Sequence, residues 1–282
     1  MTTREHVAQI IAPAALTILG ALILPRPAAA EPEPQSPESA AVAVAESTTA
    51  ADLQRAPGAT SLLRRFDELF ESSGTKANVE IVVVTPKKTR TMRMRFWGKG
   101  DDHALMIVDA PPRDAGTATL RVGDNLWNYL PKISRTIRVP PSMMMGSWMG
   151  SDLTNDDIVR DSSFEEDYDS RIVVRCDDPP GWRVRLDAKP DVVGLWSRVD
   201  IVFDFVTGLP VMTQSFDRKG RLSRTMLFTD VREMGGRTVP TVMTIVPERE
   251  EGRSTEFRYL SVEFNATVPD DMFSLARLER SH

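Results

Sequence analysis

Apolar side chains recur at helical spacing over residues 60–72 (TSLLRRFDELFES), at Leu62, Leu63, Phe66, Leu69 and Phe70. Gly74 follows, so the spacing predicts a helix that this glycine closes. Beyond it the period falls to two. Met92, Met94 and Phe96 alternate with Arg93 and Arg95, and Trp182, Val184, Leu186 and Ala188 alternate with Arg183, Arg185 and Asp187. Val199, Ile201, Phe203 and Phe205 alternate with Arg198, Asp200 and Asp204. Each run predicts a strand with one wet and one apolar face. Shorter strands are expected over 79–84, 105–108, 117–122, 133–139 and 171–176, and over 211–216, 222–228, 238–246 and 255–264. A further short aromatic strand ends at Pro131.

Turn residues fall between these runs. Thr207-Gly-Leu-Pro210, Asp217-Arg-Lys-Gly220 and Met234-Gly-Gly-Arg237 each join adjacent strands within a few residues. The expectation is a mainly β domain, a meander of about a dozen antiparallel strands in one sheet that curls strongly. Only the 60–72 helix, the 140–161 region and a turn near 272–278 are on hand to cover its apolar face. A partly unfilled apolar cavity follows. Thr154-Asn-Asp-Asp157 has the form of a capping box, which places a short helix over 155–161.

The ends change the picture. Arg4, a mostly apolar run over residues 7–24 interrupted by Pro13, and Ala28-Ala-Ala30 form the pattern of a secretory signal cleaved near Ala30. Residues 31–59 are rich in Pro, Glu, Ser, Ala and Thr and lack aromatics, as expected of a disordered tether. The remaining stretch, 60–282, suits one domain. An exported, periplasmic protein is the expectation. The formal charge of -5 argues against general nucleic-acid binding. Cys176 is the only cysteine, so no internal disulfide can form, and its place in an apolar strand suits a buried, inert thiol.

Catalytic chemistry is sparse. After loss of the signal, histidines remain only at 103 and 282, and His103 sits at a turn after Gly100-Asp-Asp102. No phosphate loop, HExxH or GxSxG motif occurs. The carboxylates of residues 152–169 fit a helix start and a solvated connection better than a calcium loop. A non-enzymatic protein without cofactor or metal is therefore expected. The conspicuous feature is the cluster Met143, Met144, Met145, Trp148 and Met149. A polarizable, adaptable surface of this kind can take up apolar ligands, or it can close the open side of the sheet as core. Met92, Met94 and Phe96, with Trp127 and Tyr129, are the candidates for a cavity wall. Lys132, Arg135 and Arg138 form a basic strand, either an ordinary wet face or one that meets acidic headgroups or an acidic partner.

The run Trp127-Asn-Tyr-Leu-Pro-Lys-Ile133, followed by Met149-Gly-Ser-Asp-Leu-Thr-Asn-Asp-Asp-Ile158, resembles the outer-membrane lipoprotein-sorting protein family, which is similar to the periplasmic carrier LolA. Phe205-Val-Thr-Gly-Leu-Pro210, Gly236-Arg-Thr-Val-Pro240 and Asp271-Met-Phe-Ser-Leu-Ala-Arg-Leu278 match in the same order. The resemblance implies a LolA-like antiparallel half-barrel whose mouth is closed by helices. It also implies a cavity that holds lipid or lipoprotein acyl chains, and a resistance-nodulation-division transporter as membrane partner. A carrier moving such chains toward the outer membrane is the expected function. The alternative is a lipid-sensing adaptor without net transport. The long acidic, Pro-rich tether departs from the better-known carrier and leaves the cargo open between lipoprotein and free lipid.

Overall fold

The computed structural model describes residues 56–159, 164–190 and 196–280. The signal segment 1–30 and nearly all of the tether expected over 31–59 lie outside these residues. Among the described residues there are thirteen strands. The first six are β1 (Gly74–Thr85), β2 (Lys88–Lys99), β3 (His103–Ala110), β4 (Ala118–Val122), β5 (Asn125–Leu130) and β6 (Arg135–Arg138). The other seven are β7 (Tyr168–Asp177), β8 (Pro180–Ala188), β9 (Arg198–Phe203), β10 (Pro210–Phe216), β11 (Leu222–Met234), β12 (Arg237–Pro247) and β13 (Ser254–Phe264). Four short helices accompany them: α1 (Ala59–Glu68), α2 (Asn155–Val159), α3 (Phe164–Asp167) and α4 (Leu275–Glu279).

All thirteen strands belong to one antiparallel sheet, in the order β6-β5-β4-β3-β2-β1-β13-β12-β11-β10-β9-β8-β7. The sheet curves strongly into an unclosed half-barrel. Every sequential pair is a hairpin neighbour except one. β6 and β7 follow each other in the chain yet stand at opposite edges. The segment between them must therefore cross from one edge of the sheet to the other.

The expected turns are where the sequence placed them. Gly235 and Gly236 both have positive φ (60° and 79°), the backbone that a two-residue hairpin needs to match strand twist, and they join β11 to β12. Asp204 Oδ1 accepts from the backbone N–H groups of Val206 and Thr207 at 3.0 and 2.7 Å, which ends β9 at Phe203. Phe205 is thus in the turn, outside the strand expected for it. The 133–139 strand is likewise shorter, because Pro131–Ile133 form a 3-10 turn before β6.

The first helix stops at Glu68, one turn short of expectation, and Gly74 does not cap it. Gly74 opens β1 instead, where a Cβ would lie 2.2 Å from the carbonyl oxygen of Ala266. The glycine is there because another backbone passes too close for any side chain.

Each face of the sheet carries its own core. On the concave face, alternate residues of β1, β2, β3, β8, β9, β11, β12 and β13 meet Leu62, Leu63 and Phe66 of α1 and the crossing segment. On the convex face, Leu105, Ile107, Ala118, Leu120 and Tyr129 are covered by Ala266, Val268, Phe273 and Leu278 from the C-terminal segment. Residues of β3 are therefore buried on both faces, which accounts for its continuous apolar run. His103 makes an edge contact with Phe273 (ring centroids 5.3 Å apart) and bonds Asp102, so it is half-buried packing and not a solvated turn residue. Cys176 is buried as expected, accepting from Arg183 at 3.3 Å.

Replacing Gly74 by Ala must push the 265–268 segment off β1. Overpacking of this kind costs about 1–3 kcal/mol, and the urea midpoint of Gly74→Ala should fall accordingly. An unchanged midpoint would mean the two backbones are not held together at this point.

Candidate functional site: an apolar cavity beneath a strap

The crossing segment, residues 139–159 with α3 beyond, lies across the concave face as a strap. Val139, Trp148, Leu153, Ile158, Val159 and Phe164 all belong to the concave core. Trp148 is its anchor, 1% exposed, with Nε1 donating to Thr119 Oγ1 at 3.1 Å. Thr119 Oγ1 in turn donates to Asn128 Oδ1 at 2.8 Å, so the indole is tied to β4 and β5.

The motif Met149-Gly-Ser-Asp-Leu-Thr-Asn-Asp-Asp157 is a clasp, and nearly every polar group in it has an assignment. Met149 and Gly150 take positive φ (51° and 76°), turning the chain while Arg90 donates to the Met149 carbonyl at 2.8 Å. Ser151 Oγ donates to the Trp148 carbonyl at 2.7 Å and accepts from the Leu153 N–H at 3.2 Å. The Asp152 carboxylate pairs with Arg253 and accepts from Thr255 Oγ1 at 2.7 Å, fixing the strap to β13 and the turn before it. Asn155 Nδ2 donates to the Met143 carbonyl at 3.0 Å.

The expected capping box is present and reciprocal. The Asp157 N–H donates to Thr154 Oγ1 (3.1 Å) and the Thr154 N–H donates to Asp157 Oδ2 (2.7 Å). The same carboxylate makes a second bond that the sequence did not reveal: Arg224 of β11 donates to Asp157 Oδ2 at 3.2 Å, with the two side chains 7% and 0% exposed. Burial pushes the Asp157 carboxyl above its ordinary range, against the pull of the Arg224 charge and the Thr154 hydrogen bonds. Burial likewise lowers the Arg224 guanidinium, and Asp157 opposes that shift. Asp152 and Asp157 are thus committed to arginines. Asp156 stands in the first turn of α2, and Asp161 lies outside the described residues.

Beside the clasp, between the strap and the middle of the sheet, is an apolar cavity of about 80 Å³. Val79, Phe96, Ala104, Met106, Met243, Phe257 and Tyr259 form its wall, Ile158 of α2 closes it from the strap, and Phe70 and Phe264 stand at one end. The aromatics interlock: Phe70 stacks on Tyr259 at 5.5 Å between centroids, and Phe257 meets Tyr259 edge-on at 5.1 Å. Burial pushes the Tyr259 phenol above its usual range, so it stays neutral through ordinary pH.

The sequence candidates separate into three groups. Phe96 lines the cavity, and Met92 and Met94 lie on the same concave face, fully buried in the core around it. Trp148 is buried in the strap, Met144 and Met149 pack partly against the concave core, Met145 is half-buried and Met143 is 59% exposed. Trp127 and Tyr129 are a correction. They belong to the convex core with Leu120 and Phe273, because period two along β5 puts Leu126 and Asn128 on the concave side instead. The cavity residues that were not singled out are Phe70, Met106, Met243, Phe257, Tyr259 and Phe264. A strand was expected over 255–264, but nothing local distinguishes its concave face from its convex one.

The partly unfilled apolar cavity that was expected is present and small. α1 and the strap occupy most of the concavity, and 80 Å³ is well below the roughly 300 Å³ at which ligand pockets usually begin. As it stands the site is narrow, with Ser72, Thr75, Gly98 and Gly100 at the end where Gly100 is exposed.

The strap's hold on the sheet is testable. Arg224→Met leaves Asp157 buried and unpaired, and Asp157→Asn leaves Arg224 so; each should cost about 3–5 kcal/mol in urea unfolding. The double variant should recover a large part of that loss. Strictly additive losses would mean that the two groups do not act as a pair.

A family model described as uncharacterized-protein-like matches residues 100–280. No curated protein matches the sequence. Among solved structures, a protein of the DUF1329 family from Desulfovibrio piger is 23% identical with a TM-score of 0.69, over 77% of this chain and 96% of that one. A domain named for outer-membrane lipoprotein sorting from Vibrio parahaemolyticus is 21% identical (TM-score 0.66), over 78% of this chain and 97% of that one. A LolA superfamily protein from Nitrosomonas europaea is 21% identical (TM-score 0.64), over 79% and 100%. At these identities the likeness is one of fold. The chain belongs to the family that the matching model describes, and its domain has the half-barrel fold of the LolA superfamily.

Proposed function

We propose that the protein is a periplasmic, non-enzymatic carrier that shields lipid or lipoprotein acyl chains in the concave cavity, passing them toward the outer membrane. The observation that carries this reading is the apolar, aromatic-lined cavity under a strap that is pinned at discrete polar points. A cavity already lined by Phe, Met and Tyr needs only enlargement to accept a methylene chain. Each buried methylene is worth roughly 0.8 kcal/mol, so a chain of ordinary length could offset the cost of moving the strap. Met144 and Met149, partly buried against the concave core, are adaptable side chains of the strap. Trp148 opposes opening until cargo replaces its contacts. The likeness of fold to a LolA superfamily protein and to a lipoprotein-sorting domain supports the same reading. So does the signal pattern ending at Ala30. A transporter of the resistance-nodulation-division class is the proposed source or acceptor of the cargo.

On this reading the small cavity must enlarge to bind, so the binding-competent state is a minor population and apparent affinity is reduced in proportion to it. Loosening the clasp should therefore tighten binding. Arg253→Gln is expected to bind a fluorescent fatty acid several-fold more tightly than the parent while losing stability. A core-only strap predicts lost stability with unchanged affinity. Ala104→Phe, which fills the cavity from β3, should abolish uptake while far-UV circular dichroism is retained.

Native mass spectrometry of protein purified from the periplasm tests the carrier reading itself, with co-purifying acyl lipid as the expected result. Lipid-free protein that also fails to take up acyl probes would refute it. Donor-to-acceptor vesicle transfer distinguishes a carrier from an adaptor that binds without net transport.

A further inference from the structure

The chain carries a formal charge of -5, yet residues 125–151 contain no Asp or Glu and three cations, Lys132, Arg135 and Arg138. This window holds β5, the tight turn at Pro131–Ile133, edge strand β6 and the start of the strap. Lys132 and Arg135 are exposed, and among the described residues neither has an ion-pair or side-chain hydrogen-bond partner. Arg138 is exposed and bonds the neutral Asn125 side chain. Ile133 and Ile137 stand among them at 57% and 46% exposure, two of the exposed large apolar side chains among the described residues. β6 pairs Arg135 with Leu130, Ile137 with Asn128 and Arg138 with Trp127, so apolar and cationic groups flank both sides of this lip of the half-barrel. On the convex side, Glu279 of α4 meets Thr136 at 2.9 Å and leaves the arginines alone.

We propose that this lip docks on the surface of a bilayer containing anionic phospholipid. Lys132, Arg135 and Arg138 would meet phosphates, and Ile133 and Ile137 would enter the interfacial layer. Cations beside exposed aliphatic side chains match such a surface chemically, since the headgroups supply the negative charge and the acyl boundary takes the apolar tips. The acid-free window stands out because acids outnumber bases over the whole chain, 40 to 35. β6 also leads directly into the strap at Val139, so docking would set the cavity's movable cover against the membrane. The inference extends the carrier reading but does not require it, because attachment to a bilayer is measured without any cargo.

Flotation of the mature chain, residues 31–282, with vesicles tests it. Vesicles of phosphatidylethanolamine with phosphatidylglycerol should carry the protein up the gradient, vesicles of phosphatidylcholine alone should not, and raising salt to about 0.5 M should release it. Lys132→Glu with Arg135→Glu should weaken flotation about tenfold or more. Ile133→Ser with Ile137→Ser should weaken it at unchanged charge. Both double variants should keep the parent's acyl-probe binding, which separates failure of docking from failure of the carrier reading. No flotation on anionic vesicles, or equal flotation of the parent and the Lys132/Arg135 variant, would overturn the proposal and leave the open edge of β6 to pairing with a protein strand.

Discussion

The whole arrangement depends on one topological constraint. Two strands adjacent in sequence, β6 and β7, stand at opposite edges of a thirteen-stranded sheet, so the chain between them has to cross the concave face. A sheet this wide and curved has an apolar inner surface that its own strands cannot cover. The crossing segment supplies part of that cover, and α1 supplies most of the rest. The same chain that buries Trp148 and Leu153 also contributes Ile158 to the cavity wall.

How the strap is held matters as much as where it lies. A wholly apolar seal would gain free energy smoothly with burial. Here the hold is split between one deep aromatic anchor and two charged fastenings, Asp152 to Arg253 and Asp157 to Arg224. Desolvating two ions consumes much of what their attraction returns, so a buried pair of this type contributes geometry more than net stability. It fixes the strap in one register, and once one member leaves, the other is driven toward water. That combination gives the strap one definite position on the sheet. The central strands β1, β2 and β13 are joined instead by long ladders.

Much of the sheet was legible in the sequence because period two is a local property. The alternation at 92–96, 182–188 and 199–203 and the glycine turns at 208, 220 and 235–236 carry their own geometry. The capping box was legible for the same reason, since Thr154 and Asp157 are one helical turn apart. What could not be read was the choice between faces in strands apolar on both sides. Trp127 and Tyr129 go to the convex core only because residues 266–278 return to cover that side. Nor could the partner of Asp157 be read, since Arg224 is 67 positions away and looks like any arginine on a strand. Gly74 misled for a related reason: the backbone that demands it, at Ala266, is distant in sequence.

The central claim is that the strap opens as a unit while the sheet stays folded. Native-state hydrogen exchange measures this directly. The N–H groups of Trp148, Asn155 and Asp156, bonded to the carbonyls of Leu153, Gly146 and Met144, report on the strap. Ladder amides of β1 and β2 report on global unfolding. The account predicts that the strap amides exchange together at an opening free energy well below the global value, and faster still in Arg253→Gln. Strap amides that exchange only with global unfolding would make the segment fixed core, with the cavity beneath it held at its present size.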